Sequence, residues 1–168
     1  MVELVLIAHN LRSAHNVGSL LRTCEGLGVN KVFLTGYTPY PLAPEDSRLP
    51  HLAQKTDKQI AKTALGAEKM VQWQQSPDIK TVLEELQSRG FRIAALEQAP
   101  GSIELPTFRV PDKLALVVGR EVEGLEPEIL NLCDITLEIP MFGRKESFNV
   151  VQAAAMALYQ FRFQAMLK

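Results

Sequence analysis

The chain has 168 residues, 46% of them apolar and 22% charged, which suits a single domain, residues 1–168, with a real core. A formal net charge of −1 argues against a protein that grips nucleic acid through bulk positive charge. No apolar run is long enough to span a bilayer, the N-terminus lacks the basic start of a signal peptide, and Cys24 and Cys133 stand without metal-ligand spacing. These features predict a cytoplasmic protein with two buried thiols, no membrane segment and no metal.

Residues 4–7 are a continuous apolar run, the pattern of a strand buried on both faces. Residues 10–16 are polar and turn-prone. Val17, Leu20, Leu21, Cys24 and Leu27 then recur at helical spacing, and Gly28 can end that helix. Residues 31–35 read as a second strand, so the chain opens β-α-β and a parallel sheet is expected. Residues 36–50, rich in proline and carrying Tyr37 and Tyr40, read as a long loop. The pattern next predicts a helix over 58–65 closed by Gly66, a short strand over 70–73, an amphipathic helix over 78–89 stopped by Gly90, and a strand over 91–96. Residues 114–118 form a further strand, 126–132 a short helix and 135–139 the last strand. Ser147 reads as the N-cap of a final helix that runs to 166. The sum is an α/β domain with a mostly parallel sheet.

Ligands of open α/β sheets sit outside the carboxyl ends of the strands. Three polar or glycine-rich segments follow strand ends here: 9–18 with Arg22 just beyond, 119–125, and 140–149. Taken singly, each can be read as caps and turns. Taken together they set Asn16, Arg22, Glu121, Ser147 and Asn149 near one sheet edge. There is no GxGxxG after the first strand, no GxxxxGK[ST] and no GxSxG, and His9, His15 and His51 lack metal-ligand spacing.

The three segments resemble, in order, the signature motifs of the SpoU-type (TrmH-like) branch of the SPOUT superfamily. An N-x-R-S-x-x-N-x-G-x-x-x-R-T pattern spans 10–23, the second motif spans 116–125, and an I-P-M-x-G-x-x-x-S-x-N-V pattern spans 139–150. Residues 62–68 and 96–98 are also similar to short members of that branch. Phe148 stands where members often carry leucine, and the 168 residues include no N-terminal RNA-binding extension. The resemblance implies a SPOUT α/β-knot, a mostly parallel sheet flanked by helices with a C-terminal trefoil knot. It implies S-adenosylmethionine as methyl donor, a ribose 2′-hydroxyl of tRNA or rRNA as acceptor, and a homodimer with the active site near its interface. The alanines at 153, 154, 155 and 157, with Val150, Val151, Leu158 and Phe161, suggest a helix face for close dimer packing, or one that packs on its own sheet.

Carried over by resemblance, Arg22 lies at the target ribose and its adjacent phosphate. A guanidinium is a permanent cation, so stabilising phosphate and the developing alkoxide suits it better than acting as a base. Asn16 is expected to orient Arg22 or the ribose. Glu121 is expected to fix Arg22 or a loop, and Ser147 and Asn149 to hold the polar network. The cofactor falls to Gly119, Ile139 and Phe148, with Leu96 and Met141 as neighbours. Basic residues in or near the loops (Arg12, Arg48, Lys55, Lys58, Lys62, Arg144, Lys145) are either RNA contacts or solvated charges. The alternative is a catalytically silent dimeric RNA-binding or scaffold protein on the same fold, against which the joint presence of the five polar residues argues.

Overall fold

The computed structural model describes residues 2–166; Met1, Leu167 and Lys168 lie outside the described residues. Among the described residues, seven strands and five α-helices follow in order as β1 (Glu3–His9), α1 (Ala14–Gly26), β2 (Lys31–Thr35), α2 (Pro50–Ala64), β3 (Trp73–Ser76), α3 (Ile79–Ser88), β4 (Arg92–Leu96), β5 (Ile103–Glu104), β6 (Lys113–Val118), α4 (Pro127–Leu130), β7 (Ile135–Glu138) and α5 (Val150–Met166). The strands form one sheet in the order β3-β2-β1-β6-β4-β7-β5, and every neighbouring pair is parallel.

Side chains alternate across the sheet, so the apolar runs feed two cores. Leu4, Leu6 and Ala8 of β1 meet Val17, Leu20 and Leu21 of α1, Ile60 of α2, and Leu158 and Phe161 of α5. Val5 and Ile7 of the same strand face the other way, onto Val82, Leu83 and Leu86 of α3 and Ile129 of α4. Ala154, Ala157, Leu158 and Phe161 are fully buried in the chain's own core. Of the small residues of α5, Ala154 and Ala157 therefore pack on the chain's own sheet, while Ala153 and Ala155 are half-buried.

Several expected boundaries move. The helix expected from 58 begins at Pro50, whose missing N–H and fixed φ suit a first helical position. The strand expected at 70–73 is Trp73–Ser76, and the helix expected at 126–132 shortens to Pro127–Leu130. β5 was not expected; it is two exposed residues with no periodicity to read. Ser147 is not the cap of α5. Asn149 is, because its Oδ1 accepts the Val151 N–H at 2.9 Å and its carbonyl accepts that of Ala153.

α1 and α2 pack tightly through Gly18. A Cβ there would fall well inside contact distance of the Ile60 carbonyl and the Thr63 hydroxyl. The motif glycine is thus a packing residue, and Thr63 Oγ1 completes the seam by donating to the His15 carbonyl at 2.8 Å. Gly18→Ala is expected to lower unfolding stability by about 1–3 kcal/mol through overpacking. A denaturant midpoint equal to wild type would refute this close-approach role.

Candidate ligand and active site

β1, β6, β4 and β7 are consecutive neighbours in the sheet, so the segments that leave their carboxyl ends lie side by side. β1 sends its chain toward β2 on one side and β6 sends its chain toward β7 on the other, the topological switch point at which parallel sheets bind ligands. The spatial meeting of 9–18, 96–98, 119–125 and 139–149 follows from this strand order, not from nearness in sequence.

At the end of β1, Asn10 takes a left-handed backbone (φ 56°), a conformation that a short amide side chain tolerates. Its Oδ1 accepts from the Tyr37 N–H and its Nδ2 donates to Glu126 Oε1, both at 3.2 Å. His9 beneath it is buried, with Nδ1 2.9 Å from Thr35 Oγ1 and Nε2 3.1 Å from Asn10 Nδ2. Burial lowers the His9 pKa against the pull of Glu126, so the ring serves as a neutral strut.

Glu121 joins the first motif to the second. Its carboxylate accepts Asn16 Nδ2 at 3.1 Å and the backbone N–H groups of Arg12 and Ser13 at 3.3 Å each. Ser13 caps α1 by accepting the Asn16 N–H. Burial pushes the Glu121 carboxyl up, but the hydrogen bonds from its own backbone, Asn16, Arg12 and Ser13 outweigh it and hold the pKa below its ordinary 4.5. A carboxylate with a depressed folded-state pKa adds stability above its unfolded pKa and loses it as pH falls through the folded value. Glu121→Gln is therefore expected to melt below wild type at neutral pH, with the gap closing as pH drops through and below 4.5. A gap that stays constant with pH would refute the clamp.

A cavity of about 160 Å³ opens beside this clamp. Leu96, Gly119, Ile139 and Phe148 line it, as do Glu121 and Ser147. Met141 and Asn149 do not line it. Asn149 instead sets the start of α5, which brings Val150 and Ala153 to the wall. Asn16 reaches the rim only through Glu121, and it makes no hydrogen bond to Arg22. Arg22 is exposed on α1, lies off the cavity, and has no hydrogen bond or ion pair among the described residues. Of the two roles expected for Glu121, the structure places it on the loop and not on Arg22.

Glu97 is the residue that sequence reasoning missed. It follows β4, and its Oε2 accepts the Leu125 N–H and its Oε1 the Gln98 N–H, each at 3.0 Å. Gly124 faces this carboxylate at φ +69°, where a Cβ would strike Glu97 Oε2. Arg120 closes the same turn by donating Nε–H to the Gly124 carbonyl and pairing with Glu126 at 3.4 Å. The signal was the stretch 96–98, already similar to short family members, but its partner lies 28 residues away. Among the described residues no group of three or more His, Cys, Asp or Glu side chains is placed to hold a metal ion.

An all-parallel α/β sheet with a cavity at its switch point, walled by glycine, apolar and acidic residues, is the architecture of a domain that takes a small organic ligand at the strand ends. Residues 3–159 match the model of the SpoU rRNA Methylase family, and the chain belongs to that family. It is 32% identical over 165 residues to the 23S rRNA (guanosine-2'-O-)-methyltransferase RlmB of Neisseria meningitidis serogroup B, covering 98% of this chain and 60% of that protein. It is 29% identical over 158 residues to the tRNA (guanosine(18)-2'-O)-methyltransferase of Aquifex aeolicus, covering 94% and 68%. Its fold is that of the SpoU methyltransferase AviRb from Streptomyces viridochromogenes, solved with AdoMet, at a TM-score of 0.82 and 22% identity over 98% of this chain and 58% of that one. The chain thus spans about three fifths of the length of the first of these relatives. No described helix is long and apolar enough to cross a membrane.

Proposed function

We propose that this protein is an S-adenosylmethionine-dependent methyltransferase that acts on a ribose 2′-hydroxyl of tRNA or rRNA, as a cytoplasmic homodimer. The observation that carries the reading is the convergence of the segments after β4, β6 and β7 on one cavity, with Glu121 tying the first motif to its rim. The relatives' names point the same way. The C-terminal trefoil knot belongs to this reading; its support is that Ser147, Phe148, Val150 and Ala153 share a cavity with residues 96–98 and 118–124.

The cavity suits the cofactor. A Cβ on Gly119 would lie 2.8 Å from Gly124 and Leu125, so only glycine lets these two wall segments pack together, and their backbone N–H and C=O groups are the ones that would read the edge of a base. Leu96, Ile139 and Phe148 supply apolar surface for its faces. Bound there, the cofactor contributes a sulfonium methyl, an electrophile that carries its own leaving group. The protein's own residues then position the acceptor and manage its charge. Arg22 holds the phosphate next to the target and stabilises negative charge on the ribose oxygen as its proton leaves. Asn16 and Glu121 fix the loop before α1, and Asn149 fixes the start of α5.

The homodimer is supported by an apolar face left open on the chain. Met156, Tyr159 and Phe163 of α5 are exposed beside Phe142, which is 98% exposed, and they line one groove with Pro106 and Pro140. Arg22 lies off its own cavity, which fits a site completed by a second copy. The test is ribose-methylation mapping of total RNA with and without the gene, paired with calorimetry against S-adenosylmethionine. One or more 2′-O-methyl positions should vanish with the gene. Failure of the protein to bind millimolar cofactor would sink the reading in favour of a silent RNA-binding scaffold.

A further inference from the structure

We propose that the seam between α1 and α2 is the track on which the phosphates of an RNA strand lie, leading that strand to Arg22; the inference rests on the methyltransferase reading above. His15 at the start of α1 and His51, Lys55, Lys58 and Lys62 of α2 line one open groove with two glutamines. The three lysines sit at i, i+3 and i+7, one stripe of the helix about 10 Å long. His15 and Arg22 are likewise seven apart on α1, so the arginine continues the stripe two turns on. The two helices are locked together at Gly18 and Thr63, which makes the groove a rigid surface.

The charges in this groove are uncommitted. None of Lys55, Lys58, Lys62 and Arg22 has a hydrogen bond or ion pair among the described residues. The sole acid of α2, Asp57, is taken by the Leu42 N–H at 2.8 Å. Several cations elsewhere are tied to carboxylates: Arg12 to Glu123, Arg48 to Asp46, Lys80 to Glu128, Arg89 and Lys113 to Glu3, Arg120 to Glu126. The near-neutral total therefore conceals a local excess of positive charge beside the candidate site. Lysines are flexible point charges rather than planar forks, and no Phe, Tyr or Trp ring lines the groove. That chemistry fits phosphate contacts without base readout. Of the tyrosines in the loop before α2, neither lines the groove, and Tyr40 lies under the Arg48 guanidinium at 3.6 Å.

The experiment is the salt dependence of binding to unfractionated transfer RNA. Each phosphate contact contributes about −0.7 to −0.9 to the slope of log K against log salt. The triple variant K55Q/K58Q/K62Q is expected to flatten that slope by about 2 to 3 and to raise the KM for RNA, with cofactor affinity and kcat retained. Lysine and glutamine have similar helix propensities, so the helix should persist, and the single Lys58→Gln, expected to flatten the slope by about 1, reads out the same effect with a smaller change. A charge-matched control, K31Q/R89Q/K113Q, removes cations near the amino ends of the strands and should keep the wild-type slope. An unchanged slope in the lysine triple, or equal loss in the control, overturns the groove while leaving methyl transfer by the wild type intact. A wild type that neither binds nor methylates RNA refutes the methyltransferase reading itself and the groove with it, whereas binding of the groove to an acidic protein alone overturns only the groove.

Discussion

Replacing Arg22 by lysine is expected to lower methyl transfer about 10²–10³-fold while leaving cofactor affinity unchanged. The substitution keeps the positive charge, so a purely electrostatic, long-range role predicts little effect. What it removes is the planar fork, which can hold a phosphate through two parallel N–H···O bonds while facing the ribose oxygen. Arg22 is exposed and makes no contact with the cavity of its own chain. Its loss therefore should not disturb the cofactor wall or the core, and the fall should appear in kcat at saturating RNA. Single-turnover methylation, with calorimetry against S-adenosylmethionine on the same variant, separates these effects. Full activity in the lysine variant would remove Arg22 from the site, and lost cofactor affinity would relocate its role to the wall.

The fold was legible where burial imposes a period. Residues 4–7, 31–35, 91–96 and 114–118 read as strands because both sheet faces are covered, and each has its counterpart in the sheet. The first half of α2 was not legible, since His51 to Lys58 is polar on most sides and only Ala53 is buried there. The order of the strands was not legible either. It is what sets β6, β4 and β7 side by side and gives Glu97 a partner at Leu125. At the site, Asn16 and Glu121 could be singled out from motif position, but their hydrogen bond spans 105 residues and appears only in the fold. Ser147 read as the cap of the last helix, and only the backbone turn into α5 gives that role to Asn149 instead. Net charge misled for a different reason. It is a sum over paired and unpaired groups, and it cannot show that the lysines of α2 are free while those near the strand starts are not.

Gly124→Ala should produce the largest loss of cofactor binding from a single methyl group. The residue sits at φ +69°, where an L side chain costs about 1–2 kcal/mol. The added Cβ would also strike Glu97 Oε2, the atom that accepts the Leu125 N–H. Glu97 cannot simply swing away, because its other oxygen accepts the Gln98 N–H at 3.0 Å. Relief must come from the turn itself, which Arg120 closes through the Gly124 carbonyl and a backbone bridge. Moving that turn shifts Gly119 and Leu125 together and closes or distorts the cavity wall. We expect S-adenosylmethionine affinity to fall at least about tenfold, equivalent to about 1.4 kcal/mol, with a comparable loss of stability. The two causes separate in a double-mutant cycle. Glu97→Ala removes the obstruction but not the backbone strain, so G124A/E97A should be less damaging than the sum of the single variants. Strict additivity would mean that the carboxylate and the glycine act independently, and that the turn is held by something other than their contact.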